Sequence, residues 1–585
     1  MKTMKLFALL VATATVGLGQ YATFAEAERQ LSELARLNPG VMTLETIGTS
    51  TGGLRIHAVR LAAEGAIPPE SRPAVFVGAN LAGYHNAGTQ AALGLMESLL
   101  AKKTLLATRT FYVLPMLNPD AQDSYFAPVK WRNSLNRGKL DRDRDGVEGE
   151  DGPNDLNGDG RITQMRIADP NGAYLPDPAD ARVMKRVDPL KGEKGLYAVH
   201  TEGGDDDRDG LYNEDPAGGF RPDKNFAHAW ADDDPESGPF PGSEPEARAV
   251  MDYLLARRNI AVAFLFGPAN NLLATPRGVG GSLEIGQIRV TPTANMAGPL
   301  GLEAGRSYSV DEVFPLLENS TLAQQATGGV TRESIATLLG AGPATAPAAE
   351  DLRYYDSLAV DYKKALDKAG LDSKRDGQQS QSGGLQNWLY YHYGAMVVEL
   401  DIWGVSKLMA YVDQEAPQSP NHLAFVPWTP VTLPDGTKAE VGGVDPFVEI
   451  APPAGELAKA VAAHDDFVQD VASKLAAVKI LSAQATELSA GVWRVRAMAG
   501  NTGFLPTHTQ HAVRARTWLP VRLELVLPAG VSLVSGKTQV ASERLTGGTG
   551  QLKGEWLVRA AKGTKLSFSL ASQNAGSDRQ EITLQ

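Results

Sequence analysis

The feature that most constrains the fold is a series of short apolar runs of strand length, set between stretches with helical spacing. Ile260–Phe266 carries no charge, and Phe111–Leu117 reads as a second buried strand closing on Asn118-Pro119-Asp120, a turn. Ile56–Leu61 and Ala74–Val77 are further strand-like runs. Between them, Tyr21–Leu37 places Phe24, Leu31, Leu34 and Leu37 at helical spacing before Asn38-Pro39-Gly40 stops it. Thr89–Leu100, Glu244–Arg257 (with Pro245 suited to a first turn) and Ser357–Leu371 also read as helices, and Leu385–Ile402 as a helix followed by a strand. Alternation of this kind predicts an α/β domain with a mostly parallel or mixed sheet.

At 585 residues the chain exceeds one compact core, so two or three domains are expected. Two insertions interrupt the α/β pattern: residues 137–220, rich in Gly and Asp, and residues 278–350, with a helical stretch near Leu316–Leu339. Pro417–Pro453 reads as a proline-rich surface segment and Gly455–Leu481 as a long helix. Gly491–Ala497 and Arg516–Leu527 then alternate with period two, which predicts an all-β sandwich over residues 480–585. The main domain spans residues 20–475, and residues 1–19 read as a signal peptide: Lys2 and Lys5, an apolar Leu6–Leu18, then small residues before Gln20. That run is shorter than the roughly 20 apolar residues of a spanning helix, and no later segment is long and apolar enough to cross a membrane. The expected location is periplasmic or extracellular.

A net charge of -12 argues against nucleic acid as a partner. The chain has no cysteine, which excludes disulfides, thiolate metal sites and cysteine nucleophiles. Much of the acidity is local. Asp141, Asp143 and Asp145 alternate before Gly146; Asp205, Asp207 and Asp209 repeat the pattern before Gly210, and both copies continue into Glu-Asp at the same offset. A third loop carries Asp155, Asn157 and Asp159. Alternating oxygens suit a hard cation, and the glycine permits the turn that brings them together. The bidentate Glu of an EF-hand is missing, so a structural calcium site would borrow ligands elsewhere.

Several segments in order resemble the zinc metallocarboxypeptidase (carboxypeptidase A-like) family, with an Asp-rich insertion like that of its bacterial exported members. They include Gly48–Gly53, Asn80–Gln90, Leu117–Asp120, Trp131–Asn133, Pro222–Phe226, Ser243–Glu246, Phe266-Gly267 and Gly383–Leu400. The resemblance implies an α/β/α sandwich on a mixed eight-stranded sheet. It also implies a zinc held by His, Glu and a second His, a catalytic glutamate, a polarising arginine and an Asn-Arg pair for the substrate carboxylate. Carried over residue by residue, the three zinc positions fall on Ala82, His85 and Gly267, which supply one imidazole between them. A catalytic zinc needs three protein ligands and an open position. The catalytic glutamate falls on Glu399 and the arginine on Arg132; both are retained, and without metal they are expected to hydrogen-bond or pair with each other. The carboxylate-gripping pair falls on Asp223 and Lys224. His57, His228 and His392 are the histidines that could compensate.

The resulting expectation is an exported, inactive or impaired family member that binds a peptide or protein in the remnant cleft, without zinc. The alternatives are an active carboxypeptidase with a rearranged metal site, and a calcium-stabilised surface module that makes its contacts through the β-sandwich.

Overall fold

The computed structural model describes residues 21–276, 301–318, 346–415 and 424–585, with isolated positions between 289 and 335. The signal peptide read at residues 1–19, much of the second insertion and the end of the Leu316–Leu339 stretch lie outside the described residues.

Six strands build the central sheet: β1 (Met42–Thr49), β2 (Arg55–Leu61), β3 (Ala74–Ala79), β4 (Thr110–Leu114), β5 (Ile260–Phe266) and β6 (Met396–Leu400). Their order is β1-β2-β4-β3-β5-β6. β1, β2 and β4 pair antiparallel, whereas β4, β3, β5 and β6 run parallel. The sheet is mixed, but among the described residues it has six strands, not eight. After β6 the chain turns away and gives its next strands to a different sheet.

The apolar strands are apolar because both faces are covered. Side chains alternate across a strand, and Val75 and Val77 pack with Leu93 and Leu99 of α2 (Asn86–Ala101), Tyr362 of α4 (Ala349–Ala369) and Val468 of α5 (Ala454–Ser473). Phe76 points the other way, into a cluster with Val250 and Leu254 of α3 (Pro245–Leu255) and with Trp388 and Leu389. The result is an α/β/α sandwich. α1 (Phe24–Leu37) precedes it, started by a capping box in which Thr23 and Glu26 satisfy each other's backbone N–H.

Three readings of the sequence need correction. Asn118-Pro119-Asp120 is not a free turn: Asn118 caps the helix Pro119–Phe126. The proline-rich segment is not merely draped on the surface. Phe425–Thr432 and Lys438–Val444 form a hairpin that joins Gln164–Ala168, Tyr197–Thr201, Tyr174–Pro176 and Met184–Arg186 in one sheet. Pro427 and Pro430 are tolerated because Phe425–Thr432 is an edge strand. The long helix stops at Ser473, and Val478–Ser489 is already a strand, paired from Val478 to Asn501.

That strand opens a C-terminal sandwich of two four-stranded antiparallel sheets. Inward residues such as Trp493, Trp556, Leu523 and Phe568 fill its core. The sandwich is anchored to the α/β body through Asp351 at the start of α4, which has no exposed surface. Its carboxylate accepts from the Tyr390 hydroxyl (2.9 Å), from Arg544 Nη2 (3.1 Å) and from the Gln510 N–H (2.8 Å), which begins the short helix Gln510–Ala515. A carboxylate at exposed helix N–H groups is well placed electrostatically, and removing one partner of a buried pair is costly.

Candidate functional site: a cleft at the strand ends

Parallel pairing sets the C-terminal ends of β3, β5 and β6 side by side, with Ala79 opposite Phe266 and Phe266 opposite Leu400. Ligands of open α/β sheets bind in such a crevice. Here it is a cleft of about 160 Å³, lined among others by Ala82, Tyr84, Asp223, Gly267, Ser380 and Glu399. The loop from β3 into α2 forms one wall. Asn80 adopts a left-handed backbone (φ 55) and its Oδ1 accepts the His85 N–H at 2.9 Å. Gly83 is forced at its position: a Cβ there would lie 2.2 Å from Ala121 Cβ.

Ala82 lines the cleft but offers no donor atom. Gly267 lines it too, and a Cβ there would meet nothing within 4 Å. His85 caps α2 and is 1% exposed, but it is not part of the cleft wall. Neither ring nitrogen has a hydrogen-bond partner among the described residues. Burial pushes its pKa down to about 4, so the ring is neutral. His57 binds Glu28 at 2.7 Å, and His228 stacks on Tyr391 with His392 3.3 Å away, so none of the three compensating histidines lines the cleft. Among the described residues, no cluster of three potential metal ligands contains a histidine.

Glu399 sits at the end of β6, 6% exposed, with the Ser380 hydroxyl donating to its Oε2. Its backbone N–H donates to Asn271 Oδ1 (3.0 Å), which fixes the strand end. Burial raises its pKa to about 7, opposed only by the Ser380 hydrogen bond. The expected pair with Arg132 does not form. Arg132 instead stacks over the Tyr84 ring at 4.4 Å and donates to its hydroxyl at 3.2 Å. It lines a larger groove, of about 570 Å³, together with residues of the second sheet such as Gln164, Tyr174 and Val199. Asp223 is clamped by Arg221 through two bonds of 3.1 and 2.9 Å and also receives Gln381. Lys224 turns away to Asp234 (2.7 Å) and Glu236 (3.3 Å). Ser380, Gln381 and Arg221 were missed in the sequence. The uncharged Gln/Ser run ahead of Gly383-Gly384, and an arginine two residues before Asp223, were the available signals.

The two Asp-rich repeats face each other. They share backbone geometry, with left-handed Arg144 (φ 67) and Arg208 (φ 70), then Gly146 (φ 100) and Gly210 (φ 94). They also exchange hydrogen bonds: Gly149 N–H donates to Asp215 Oδ2 (3.0 Å) and Asn213 N–H to Asp151 Oδ2 (2.9 Å). Carboxylate oxygens converge in groups that could hold a metal ion, including Asp141, Asp143 and Asp215; Asp143, Asp145, Glu150 and Asp207; Asp151, Asp207 and Glu214; and Asp205, Asp207 and Asp209. Glu214 is raised to about 7, by burial first and by neighbouring Asp151 next. Asp155, Asn157 and Asp159 form a separate loop outside these groups, in which Asp155 accepts from the Gly158 and Gly160 N–H at 2.8 Å.

Residues 27–151 match the family model for zinc carboxypeptidases, and residues 477–583 match one described as a domain of unknown function, DUF8731. Over residues 27–151 the chain is therefore similar to the zinc carboxypeptidase family. Solved structures to which the chain is similar include carboxypeptidase A from Helicoverpa armigera, at 14% identity over 77% of this chain and 73% of that one, with a TM-score of 0.37. A metallo-carboxypeptidase from Burkholderia cenocepacia is 10% identical over 76% of this chain and 68% of that one, with a TM-score of 0.28. No curated protein matches the sequence. That family is one of zinc enzymes, and the residues at the three positions that the resemblance assigns to its zinc ligands do not fit that metal: a methyl group, a ring outside the cleft and a glycine.

The Glu399 carboxyl sets a pH dependence. Folded, it keeps its proton to about pH 7, against 4.5 for an unperturbed glutamate. Folding is therefore penalised as pH rises through that interval, and not below it. Glu399→Gln should stabilise the protein by roughly 1–3 kcal/mol at pH 8 and leave it nearly unchanged at pH 4. Chemical denaturation at the two pH values checks this; equal effects at both would contradict it.

Proposed function

We propose that the protein is an exported member of the zinc carboxypeptidase family that has lost the catalytic zinc and binds a peptide or protein segment in the remnant cleft. The observation that carries this reading is the donor set at the strand ends. Ala82 and Gly267 contribute no ligand atom, and His85 is buried outside the cleft. Glu399 is retained, yet without a metal-acidified water it has no nucleophile to activate. Grip on a free C-terminal carboxylate is also weakened: Arg221 is committed to Asp223, and Lys224 to Asp234. What persists is a cleft of about 160 Å³ at the strand ends, lined by leucines together with polar groups such as Ser380 and Glu399. No helix of the described residues is long and apolar enough to cross a membrane. Export is supported by the basic and apolar start of the sequence.

The same reading can be tested by restoring the donors. Gly267 has open space for a side chain and Ala82 lines the cleft, so the double variant Ala82→His, Gly267→His, which adds two imidazoles to the cleft that Glu399 lines, should gain a bound zinc and, with it, peptidase activity on peptides with free C-termini. The parent protein should show neither. Robust chelator-sensitive hydrolysis by the parent would instead favour an active enzyme with a rearranged site, the reading that the retained Glu399 supports.

We further propose that the paired acidic loops take structural calcium. Their carboxylates crowd together, and close like charges are unfavourable; Arg142, 3.0 Å from Asp215, offsets only part of that charge. Millimolar Ca²⁺ should raise the melting temperature by several degrees, as expected for a ligand that binds only the folded state. Asp215→Asn should remove most of that shift in calorimetry; an unchanged shift would contradict the assignment.

A further inference from the structure

We propose that the cleft recognises a cationic side chain, an alkylammonium of the lysine type, through Glu399. This rests on the reading of the cleft as a peptide-binding site and specifies its ligand.

Every cationic side chain around the cleft is already engaged. Arg221 pairs with Asp223, Lys224 with Asp234, and Arg375 with Asp401 at 2.6 Å. Arg132 lies over Tyr84. Glu399 is the acid that remains: it is 6% exposed, its only hydrogen-bond donor among the described side chains is the Ser380 hydroxyl, and no basic group offsets its burial. A buried carboxylate without a counter-ion is unfavourable, and a ligand cation relieves that penalty while gaining a charge-assisted hydrogen bond.

Shape and lining agree. Leu81, Leu117, Leu265 and Leu385 give the cleft apolar walls, with Glu399 among them. A lysine side chain has the matching profile, an apolar stem carrying a charged head. Gln378 also lines the cleft, where a side-chain amide can meet a peptide backbone. A ligand carboxylate, by contrast, would find no uncommitted cation and would face Glu399.

Calorimetric titration of the full-length mature protein with two blocked tripeptides decides the matter: acetyl-Gly-Gly-Lys-amide and its norleucine counterpart. The lysine peptide should bind at least ten-fold more tightly. Glu399→Gln should abolish that preference, and Gly267→Leu, which places a side chain in the open cleft, should weaken both peptides. Equal binding of the two peptides overturns cation recognition but leaves the peptide-binding reading standing. Binding of neither overturns both. A lysine preference that survives Glu399→Gln and Gly267→Leu overturns the assignment to this cleft.

Discussion

Parallel pairing of β3, β5 and β6 fixes the level at which three chain segments leave the sheet, and everything at the site follows from that register. Phe266 lies opposite both Ala79 and Leu400. The loop carrying Ala82, the turn at Gly267 and the carboxylate of Glu399 therefore meet at one edge. Slippage by one residue would send Glu399 to the other face of the sheet. The register is held by strands buried on both faces and by Asn271, whose side chain bonds the backbone of Val397 and Glu399 on β6. The scaffold thus fixes where these segments meet whatever side chains occupy the edge, and fold alone does not set the chemistry there.

The chemistry left at that edge is electrostatic. At and beside the cleft stand a buried acid, a clamped Arg221–Asp223 pair and a neutral histidine. Each group's state has a local cause: burial raises Glu399 and lowers His85, and Gln381 and Arg221 together hold Asp223. Around this core the acidic loops and the Asp351 joint are separate devices. The first would stiffen the insertion, and the second ties the sandwich to the α/β body.

The fold class was legible because uncharged runs such as Ile260–Phe266 admit few other environments. The hairpin at Phe425–Val444 was not, because Pro427 and Pro430 mask an edge strand, and only its pairing with the distant Gln164–Ala168 reveals it. The end of α5 was misread because Ala476, Ala477 and Val478 continue an apolar pattern that helix and strand share. At the site, sequence order located Ala82, Gly267, Asp223 and Glu399, all of which line the cleft. It could not reveal that Arg132 turns to Tyr84 or that Lys224 faces Asp234, since side-chain direction depends on partners brought in from elsewhere in the chain. Ser380 was invisible for the same reason: its role exists only where its loop crosses β6.

The central claim is that the strand-end cleft cannot assemble three donors for a transition metal. The most direct test is an anomalous difference map at the zinc edge, from crystals of the protein purified without chelator and soaked in zinc. We predict no peak within bonding distance of His85 or beside Glu399, even if the acidic loops collect metal. A fully occupied peak in the cleft would contradict the account.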